Sequence, residues 1–335
     1  MMAVRMTRLF ALLIAGLLLV PFYTQTSFAQ VDPKRPLKVA LILPGPVSDG
    51  TFCSAAAKGI KAAQEKYPNI TVSIRENTQM AQSEAALFEY AKNGYDVVIG
   101  HGFQFAEPAK KIHKQFPKTW FIVNTAKVAE APNLASYDNR WGDIGYVAGA
   151  LAGVMTKTGI IGGIGGIPVP VILEYNEGLE RGAKRTRPDV KMLTAMVGSF
   201  SDVAKGKEVT LALIEKGADV VSPTGNESVI GTLEAAKEKH VLMIGTAFDS
   251  ASFAPDTIVA TALVNFDVNI DLAVGRVLDG SIKPEIYNLG FKENGIGWSG
   301  YGHFDNKIPD DGKAKVQAII DEIKAGKTPD LPKIR

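Results

Sequence analysis

From Leu37 onward, short apolar runs alternate with amphipathic segments along the whole chain. The apolar runs are rich in β-branched and aliphatic residues, which is typical of strands that are buried on both faces. Because segments with helical periodicity separate these runs, consecutive strands are joined through helices rather than through hairpins. The alternation therefore predicts an α/β fold in which parallel sheets carry helices on both faces.

The series of elements repeats itself halfway along the chain. The predicted strands span residues 39–43, 70–75, 97–100, 120–124, 160–164, 191–197, 220–221, 241–245 and 258–262. The predicted helices span 52–67, 80–93, 106–115, 142–157, 171–187, 203–216, 229–239, 268–278 and 310–325. A G-x-D-V-V motif precedes a strand at Gly94 and at Gly217, and a later strand in each half ends in a polar residue, Asn124 or Thr246. This repetition predicts two similar lobes whose equivalent loops face each other across a cleft.

The N-terminus has the pattern of a secretory signal peptide. Arg5 and Arg8 precede an apolar run over residues 9–20, and small residues follow up to Ala29. The run is shorter than the roughly 20 residues of a membrane-spanning helix, so we predict a signal peptide over residues 1–29 with cleavage after Ala29. Since no cysteine lies near that point, we expect no N-terminal lipid anchor and a periplasmic location.

The balance of charges argues against binding to nucleic acid. Lys and Arg number 37 against 35 Asp and Glu, and no basic run exceeds a few residues outside 184–187. A protein that binds a phosphate backbone carries clustered positive charge. We therefore expect no nucleic-acid partner.

The chain also lacks the residue patterns of common enzymes. The motifs H-E-x-x-H and G-x-S-x-G, paired cysteines and the NTPase phosphate loop are all missing, and the glycine-rich run 159–166 does not fit a dinucleotide fingerprint. His101 lies in a candidate cleft loop, whereas His113 and His240 fall on charged helical stretches that are typical of a surface. The single cysteine, Cys53, cannot form an internal disulfide and is expected to be a packed residue. We predict a protein that is not an enzyme and has no cofactor and no metal.

The first strand-to-helix loop is a candidate ligand site. It lies at the carboxyl edge of the predicted sheet, where open α/β folds bind ligands. Asp49 could accept hydrogen bonds from a ligand there, and Phe52, at the start of the helix, could stack on a flat ring. An alternative is an ordinary loop in which Asp49 caps the helix.

Further aromatic and polar residues fall near other predicted strand ends and crossovers. The rings are Phe103, Tyr137, Trp141, Phe200, Phe248 and Trp298, and the polar candidates are Asn124, Asn226, Asp249 and Asn265. Rings together with amides and carboxylates suit a planar heterocycle, because the rings stack and the polar groups match its donors and acceptors. For any single ring a position in the core is the simpler interpretation, so the clustering at loops carries this hypothesis.

Several motifs together carry a family resemblance over the whole mature chain. They are D-G-T-F at 49–52 followed by Gly59, G-Y-D-V-V-I-G at 94–100 with G-F at 102–103, P-N-L-A-S at 132–136, G-Y-V-A-G at 145–149, G-S-F-S-D at 198–202 with K-G-K-E at 205–208, and G-A-D-V-V at 217–221. In their order and spacing the chain resembles the basic membrane protein, or PnrA-like, family of purine-binding solute receptors of ABC importers.

The resemblance implies a type I periplasmic-binding fold, in which two Rossmann-like lobes with parallel sheets are joined by three crossovers. The expected N-terminal lobe covers 36–139 and 265–292, and the C-terminal lobe covers 140–264 and 293–335. It further implies a small-molecule purine ligand, a monomer and an ABC permease of the inner membrane as partner. Phe52 matches a family residue that stacks on the base, and Asn124 stands where an Asp usually reads the base edge.

Two departures from the family pattern concern the sugar. The usual G-x-D-x-D reads Gly245 to Asp249 here, so Ala247 replaces the Asp that binds ribose hydroxyls, and Asn265 replaces a lysine. Losing both groups removes charge-assisted contacts, so we expect a free base such as adenine to be preferred over a nucleoside. A shift of one residue in this alignment would restore Asp249 as the sugar ligand. A purine nucleoside receptor, a secreted nucleoside hydrolase and a sensor for a membrane signalling protein are the alternatives.

Overall fold

The computed structural model of the protein describes residues 35–327, so the predicted signal peptide at 1–29 lies outside the described residues. In chain order the strands are β1 (Leu37–Ile42), β2 (Ile70–Arg75), β3 (Val97–His101), β4 (Trp120–Asn124), β5 (Leu134–Asn139), β6 (Ile160–Gly165), β7 (Lys191–Met196), β8 (Val220–Thr224), β9 (Leu242–Ala247), β10 (Ile258–Val264), β11 (Ile286–Leu289) and β12 (Ile296–Trp298). The α-helices are α1 (Phe52–Lys66), α2 (Ser83–Lys92), α3 (Ala106–Ile112), α4 (Trp141–Met155), α5 (Pro170–Thr186), α6 (Val203–Glu215), α7 (Ser228–Lys239), α8 (Phe266–Leu278) and α9 (Asp310–Lys324). Within residues 35–327 no helix has both the length and the apolar character needed to span a membrane.

The strands form two six-stranded sheets, in the orders β11-β5-β4-β3-β1-β2 and β12-β10-β9-β8-β6-β7. Apart from the outermost strands β11 and β12, the two orders are the same relative to the chain. The strands pair in parallel, except for the antiparallel edge pair of β10 and β12. The predicted α/β fold with two similar lobes is therefore confirmed.

Each sheet is buried on both faces. In β1, Val39 and Leu41 pack under α1 and α8, whereas Ala40 and Ile42 pack under α2 and α3. Successive side chains of a strand point to opposite faces, which is why these strands appear in the sequence as continuous apolar runs. In the second lobe α4, α5 and α9 cover one face of the sheet, and α6 and α7 cover the other.

The chain passes between the lobes at three places. These are the connections from β5 to α4, from β10 to α8, and from β11 to β12. The predicted lobe boundaries at 139/140, 264/265 and 292/293 fall in these connections. The last helix, α9, packs against α4 of the second lobe.

Three strands and some helix boundaries differ from the sequence prediction. Strand β5 is not predicted because Ser136, Asp138 and Asn139 are polar, although all of β5 is buried. Strands β11 and β12 are not predicted because they are short edge strands. The predicted helix 80–93 starts with a 3-10 turn before α2, and the helix 106–115 ends in one after α3.

The expectation that His113 lies on the surface is wrong. Its side chain is fully buried, because the 3-10 turn after α3 folds inward against the loop before β5. There His113 Nδ1 donates to Asn133 Oδ1 at 2.9 Å, and Asn133 in turn donates to three backbone carbonyls of this turn and the loop that follows. Because its ring is hydrogen-bonded, His113 can occupy a core position although its neighbours in the sequence are charged.

Helices α4 and α5 approach each other until their backbones touch. A Cβ atom added to Gly149 would lie 1.9 Å from the Leu179 carbonyl oxygen, and one added to Gly182 would lie 1.9 Å from the Tyr146 carbonyl oxygen. No real Cβ contact is that short, so the two helices would have to separate. This contact sets the position of α4, the helix that begins at the first crossover.

We expect Gly182→Ala to lower the free energy of unfolding by about 1–3 kcal/mol, the usual cost of overpacking, although Ala favours a helix over Gly by roughly 1 kcal/mol. Gly275→Ala on α8 is the matched control, because its Cβ would meet only the Tyr67 hydroxyl, the end of a side chain, at 2.9 Å. Urea unfolding of both variants measures the difference. Equal stabilities would contradict the proposed backbone contact.

Candidate ligand-binding cleft

A cavity of about 490 Å³ lies between the two lobes. Its walls come from loops that follow β1, β2, β3 and β4 in the first lobe and β6, β7, β8 and β9 in the second, together with Trp141 and Phe266 at two crossovers. These loops all leave the carboxyl ends of parallel strands, the edge at which open α/β sheets bind ligands.

Phe52 forms an aromatic platform in this cavity. Its ring stacks on the His101 ring, with centroids 3.7 Å apart and an angle of 25° between the planes. The edge of Phe266 meets it at 5.1 Å and 86°, and Trp141 lies 6.4 Å from Phe266. Rings held in offset and edge-on contact have little freedom to turn, so contacts within the protein alone fix the platform.

Asp49 organises the start of α1 beneath the platform. Its carboxylate accepts hydrogen bonds from the backbone N–H groups of Thr51, Cys53 and Ser54 at 2.8 to 2.9 Å. Partial burial acts to raise the pKa of Asp49, but these three donors outweigh it and hold the pKa below its ordinary value. The hydrogen bonds of Asp49 are therefore those of a residue that caps the helix, although Asp49 also lines the cavity.

His101 supports Phe52 from below as a neutral, fully buried ring. Burial lowers the pKa of His101 to about 3. Its Nε2 lies 3.1 Å from the Phe52 carbonyl oxygen, which can only accept, so Nε2 carries the proton. Nδ1 then accepts from Asn124 Nδ2 at 3.0 Å.

A chain of buried amides continues from His101 to the crossovers. Asn269 Nδ2 on α8 donates to Asn124 Oδ1 at 2.7 Å and to Asn139 Oδ1 at 2.8 Å. Asn139 Nδ2 in turn donates to the carbonyl oxygen of Gly295, between β11 and β12, at 2.7 Å. Such a fully satisfied buried network is rigid, so the platform and the crossovers share one set of hydrogen bonds.

The second-lobe wall is largely apolar. Ile167, Val169, Val171 and Ile172 line it after β6, and Phe200 after β7 lies 6.2 Å from Phe103 of the first lobe. The hydroxyls of Thr224 and Thr246, at the ends of β8 and β9, already donate to Ile164 O at 3.2 Å and to the Tyr175 hydroxyl at 3.2 Å. This wall would therefore interact with a flat ligand mainly through apolar contacts and less through hydrogen bonds.

Two residues at equivalent ends of the two sheets have left-handed backbone conformations. Thr125 follows β4 with φ 67°, Ala247 ends β9 with φ 74°, and both line the cavity. Residues other than glycine rarely adopt this region, which costs of order 1–3 kcal/mol. Across Ala247 the Phe248 N–H donates to Thr246 O at 3.1 Å, which forms a tight γ-turn and aims Phe248 at the cavity.

The cavity contains no positive charge among its described lining residues. Within residues 35–327, Asp49 and Glu227 are the only charged side chains that line it. A phosphate group would need cationic or free N–H partners, so this lining disfavours phosphorylated ligands. The described residues also include no cluster of three or more His, Cys, Asp or Glu side chains that could hold a metal ion.

An ion pair joins the lobes beside the cleft. Lys127, after β4, pairs with Glu174 on α5 of the second lobe. Lys127 Nζ also lies 4.0 Å from Asp138 Oδ2, and Trp141 Nε1 donates to Asp138 Oδ1 at 3.2 Å. Burial raises the pKa of Asp138 to about 6. The contact between the lobes is thus linked to a ring that lines the cavity.

A family model described as ABC transporter substrate-binding protein PnrA-like matches residues 37–328. This chain belongs to that family. It is 27% identical over 294 residues to a purine-binding protein of Brucella abortus, covering 87% of this chain and 81% of that protein. It is 29% identical over 214 residues to an ABC transporter nucleoside-binding protein of Lactococcus lactis, covering 61% and 59%.

A solved ABC transporter solute-binding protein from Aeropyrum pernix superposes with a TM-score of 0.81 at 23% identity, covering 89% of this chain and 94% of that one. The two α/β lobes thus have the type I periplasmic-binding fold. The protein is an extracytoplasmic substrate-binding receptor of an ABC transporter, with a small-molecule ligand and a permease partner, and is not an enzyme.

Most of the site residues predicted from the sequence line the cavity of this receptor. They are Asp49, Phe52, Phe103, Trp141, Phe200, Asn226 and Phe248. Asn124 does not line it, because its amide is engaged by His101 and Asn269. Asp249 is exposed and accepts from the Ala251 N–H at 3.2 Å. Asn265 donates to the Asn294 carbonyl oxygen at 2.7 Å within the crossovers.

Other lining or supporting residues of the receptor were missed. Phe266 directly follows the polar Asn265, and Glu227 directly follows the predicted Asn226, so position alone could have suggested both. His101 was noted in a cleft loop, but its role beneath Phe52 depends on a contact between distant residues. Of the other rings, Tyr137 is buried against Tyr287 at 4.7 Å, away from the cavity.

We expect the neutral ring of His101 to make the folded state acid-sensitive. Its pKa is lowered to about 3 in the folded protein, whereas an unfolded His titrates near about 6.5. Between these values the unfolded chain binds more protons. The contribution of His101 to the free energy of unfolding is therefore complete above about pH 6.5 and is lost as the pH falls, by up to about 1.4 kcal/mol per pH unit.

Between pH 7 and pH 5, His101→Gln should accordingly lose about 2 kcal/mol less stability than the unaltered protein. Urea unfolding at both pH values measures this difference, and the opposite contribution of Asp138 cancels because it is present in both proteins. His240→Gln, at an exposed position, is the control and should keep the full loss. If His101→Gln loses as much stability as the control, the ring is not buried in its neutral form.

Proposed function

We propose that this receptor captures a purine in the cleft and that a free base such as adenine binds more tightly than a nucleoside. The observation that carries the proposal is the Phe52 ring, fixed by His101 and Phe266 in a cavity whose opposite wall is largely apolar. A rigid aromatic face in a cavity without cationic lining residues among those described suits stacking on a neutral planar heterocycle. Two relatives are described as purine-binding and nucleoside-binding, which supports the same class of ligand.

The size of the cavity does not separate a base from a nucleoside. At about 490 Å³ it falls within the roughly 300–1,000 Å³ of ordinary small-molecule sites. The polar groups of the lining distinguish a base from a nucleoside instead, because the ribose hydroxyls of a nucleoside need hydrogen-bond partners when they are buried. Leaving a buried hydroxyl unpaired costs about 1–3 kcal/mol.

The groups that the family uses for the sugar are missing from the second-lobe wall. Ala247 offers only a methyl group to the cavity, and Asn265 is held at the crossovers by Asn294. Asp249 is exposed outside the lining. These placements favour a base without a sugar over a nucleoside.

We further propose that the receptor acts as a monomer in the periplasm and delivers its ligand to a permease in the inner membrane. The basic, apolar and small-residue series at residues 1–29 supports this compartment.

At equal ligand concentration, adenine should raise the melting temperature of the receptor more than adenosine does, since a ligand that binds only the folded state stabilises it by mass action. Differential scanning fluorimetry with both ligands measures the two shifts. A larger shift with adenosine would indicate a nucleoside receptor, and no shift with either ligand would reject the purine proposal.

A substitution of the platform residue Phe52 tests the same proposal. Phe52→Leu should weaken adenine binding by roughly tenfold, because an aromatic stack contributes about 0.5–1.5 kcal/mol beyond its buried area. Phe88→Leu, at a partly exposed ring on α2 away from the cavity, is the control. Isothermal titration calorimetry gives both affinities, and equal affinities would show that Phe52 is not the platform.

A further inference from the structure

Glu227 places a carboxylate in the cleft that has no hydrogen-bond or ion-pair partner among residues 35–327. It immediately precedes α7, after β8, and lines the cavity while half-buried. Within residues 35–327, no hydrogen bond or ion pair engages its side chain. Asp49, the other lining carboxylate, accepts three backbone hydrogen bonds. Glu227 is therefore the acidic group that remains available to a ligand.

The backbone holds Glu227 in a fixed position beside Phe200. The N–H groups of Asn226 and Ser228 both donate to the Phe200 carbonyl oxygen, at 3.2 and 3.0 Å. These bonds lie on either side of Glu227, so the loop cannot shift without breaking them. The second-lobe ring and the carboxylate are thus presented to the cavity together.

Glu227 and Phe52 line the same cavity from opposite lobes. The pKa of the Cys53 thiol is raised mainly by burial and by the charge of Asp49, and the charge of Glu227 adds to the same effect. Cys53 directly follows Phe52 in α1. Because Phe52 and Glu227 border one cavity, a base stacked on Phe52 would share that cavity with the Glu227 carboxylate. Ala247 and Phe248 belong to the next strand end.

An ionised carboxylate can only accept hydrogen bonds, so the ligand must bring the donor. No Lys, Arg or His lines this part of the cavity among the described residues. The exocyclic amino group of an aminopurine is such a donor. A hydrogen bond to a charged acceptor is roughly twice as strong as one between neutral groups, which is enough to select among purines.

We propose that Glu227 is a specificity-determining residue that accepts a hydrogen bond from the exocyclic amino group of the base, so that the receptor selects aminopurines. This inference rests on the proposed function, because it needs a purine on Phe52. The amide of a Gln at this position would keep the shape of the side chain and would lose the charge. The contributions of the ligand's amino group and of the Glu227 carboxylate to the affinity should therefore be coupled. Each should increase the affinity only when the other is present.

Adenine and unsubstituted purine differ only in the 6-amino group, so the pair isolates this contact. We expect calorimetry to show that Glu227→Gln binds adenine about tenfold more weakly than the unaltered protein does, while its affinity for purine changes less than about threefold. Glu234→Gln is the matched control, because Glu234 lies on α7, the helix that Glu227 precedes, and its carboxylate lies on the exposed side, 3.9 Å from Lys207 Nζ. It should leave both affinities unchanged.

The outcomes separate the two proposals. If adenine and purine lose affinity equally in Glu227→Gln, or if adenosine loses more than adenine, the carboxylate reads another part of the ligand and the assignment is wrong. If the unaltered protein binds adenine and Glu227→Gln binds it as well, only the role of Glu227 is overturned. If the unaltered protein binds neither adenine nor purine, the proposed function fails and this inference fails with it. Glu227→Ala repeats the comparison with the side chain removed, and melting without ligand checks that both variants fold.

Discussion

The cleft depends on a buried chain of neutral hydrogen-bonding groups beneath Phe52. The chain starts at the Phe52 carbonyl oxygen and passes through His101, Asn124 and Asn269 to the first and third crossovers. Asn269 lies on α8, which follows the second crossover, so one network touches all three connections between the lobes. A charged group in this chain would bring a large desolvation penalty. The neutrality of His101 is therefore a condition for both the platform and the hinge region.

The two lobes share a topology but differ in the chemistry that they present to the cavity. At the cleft each sheet ends in a residue with a left-handed backbone conformation, Thr125 in one lobe and Ala247 in the other. The two lobes thus share this strained conformation at equivalent positions. The first lobe contributes a rigid ring over a buried polar network, and the second contributes an apolar wall with Glu227 at its edge. The pair of Lys127 and Glu174 joins the lobes outside this surface. A receptor that closes by hinge motion about its crossovers would use these different surfaces to enclose one ligand.

The sequence was most informative where local patterns decide the structure. The apolar runs and helical segments predicted most strands and helices, because burial on both faces leaves a clear periodicity. It was least informative where burial and polarity coincide. The polar residues of β5 and the ring of His113 are buried because they find partners far away in the chain, and no local pattern records such partners. For the same reason Asn124 was expected to face the ligand, whereas its amide is turned to His101 and Asn269.

We propose that the cleft holds a neutral purine base with an amino group. The most direct measurement is mass spectrometry of the small molecules released when the receptor, purified without added ligand, is denatured. We expect an aminopurine base, without sugar or phosphate, to be released in proportion to the protein. Release of a nucleotide, a sugar or another ligand without a flat ring would contradict it.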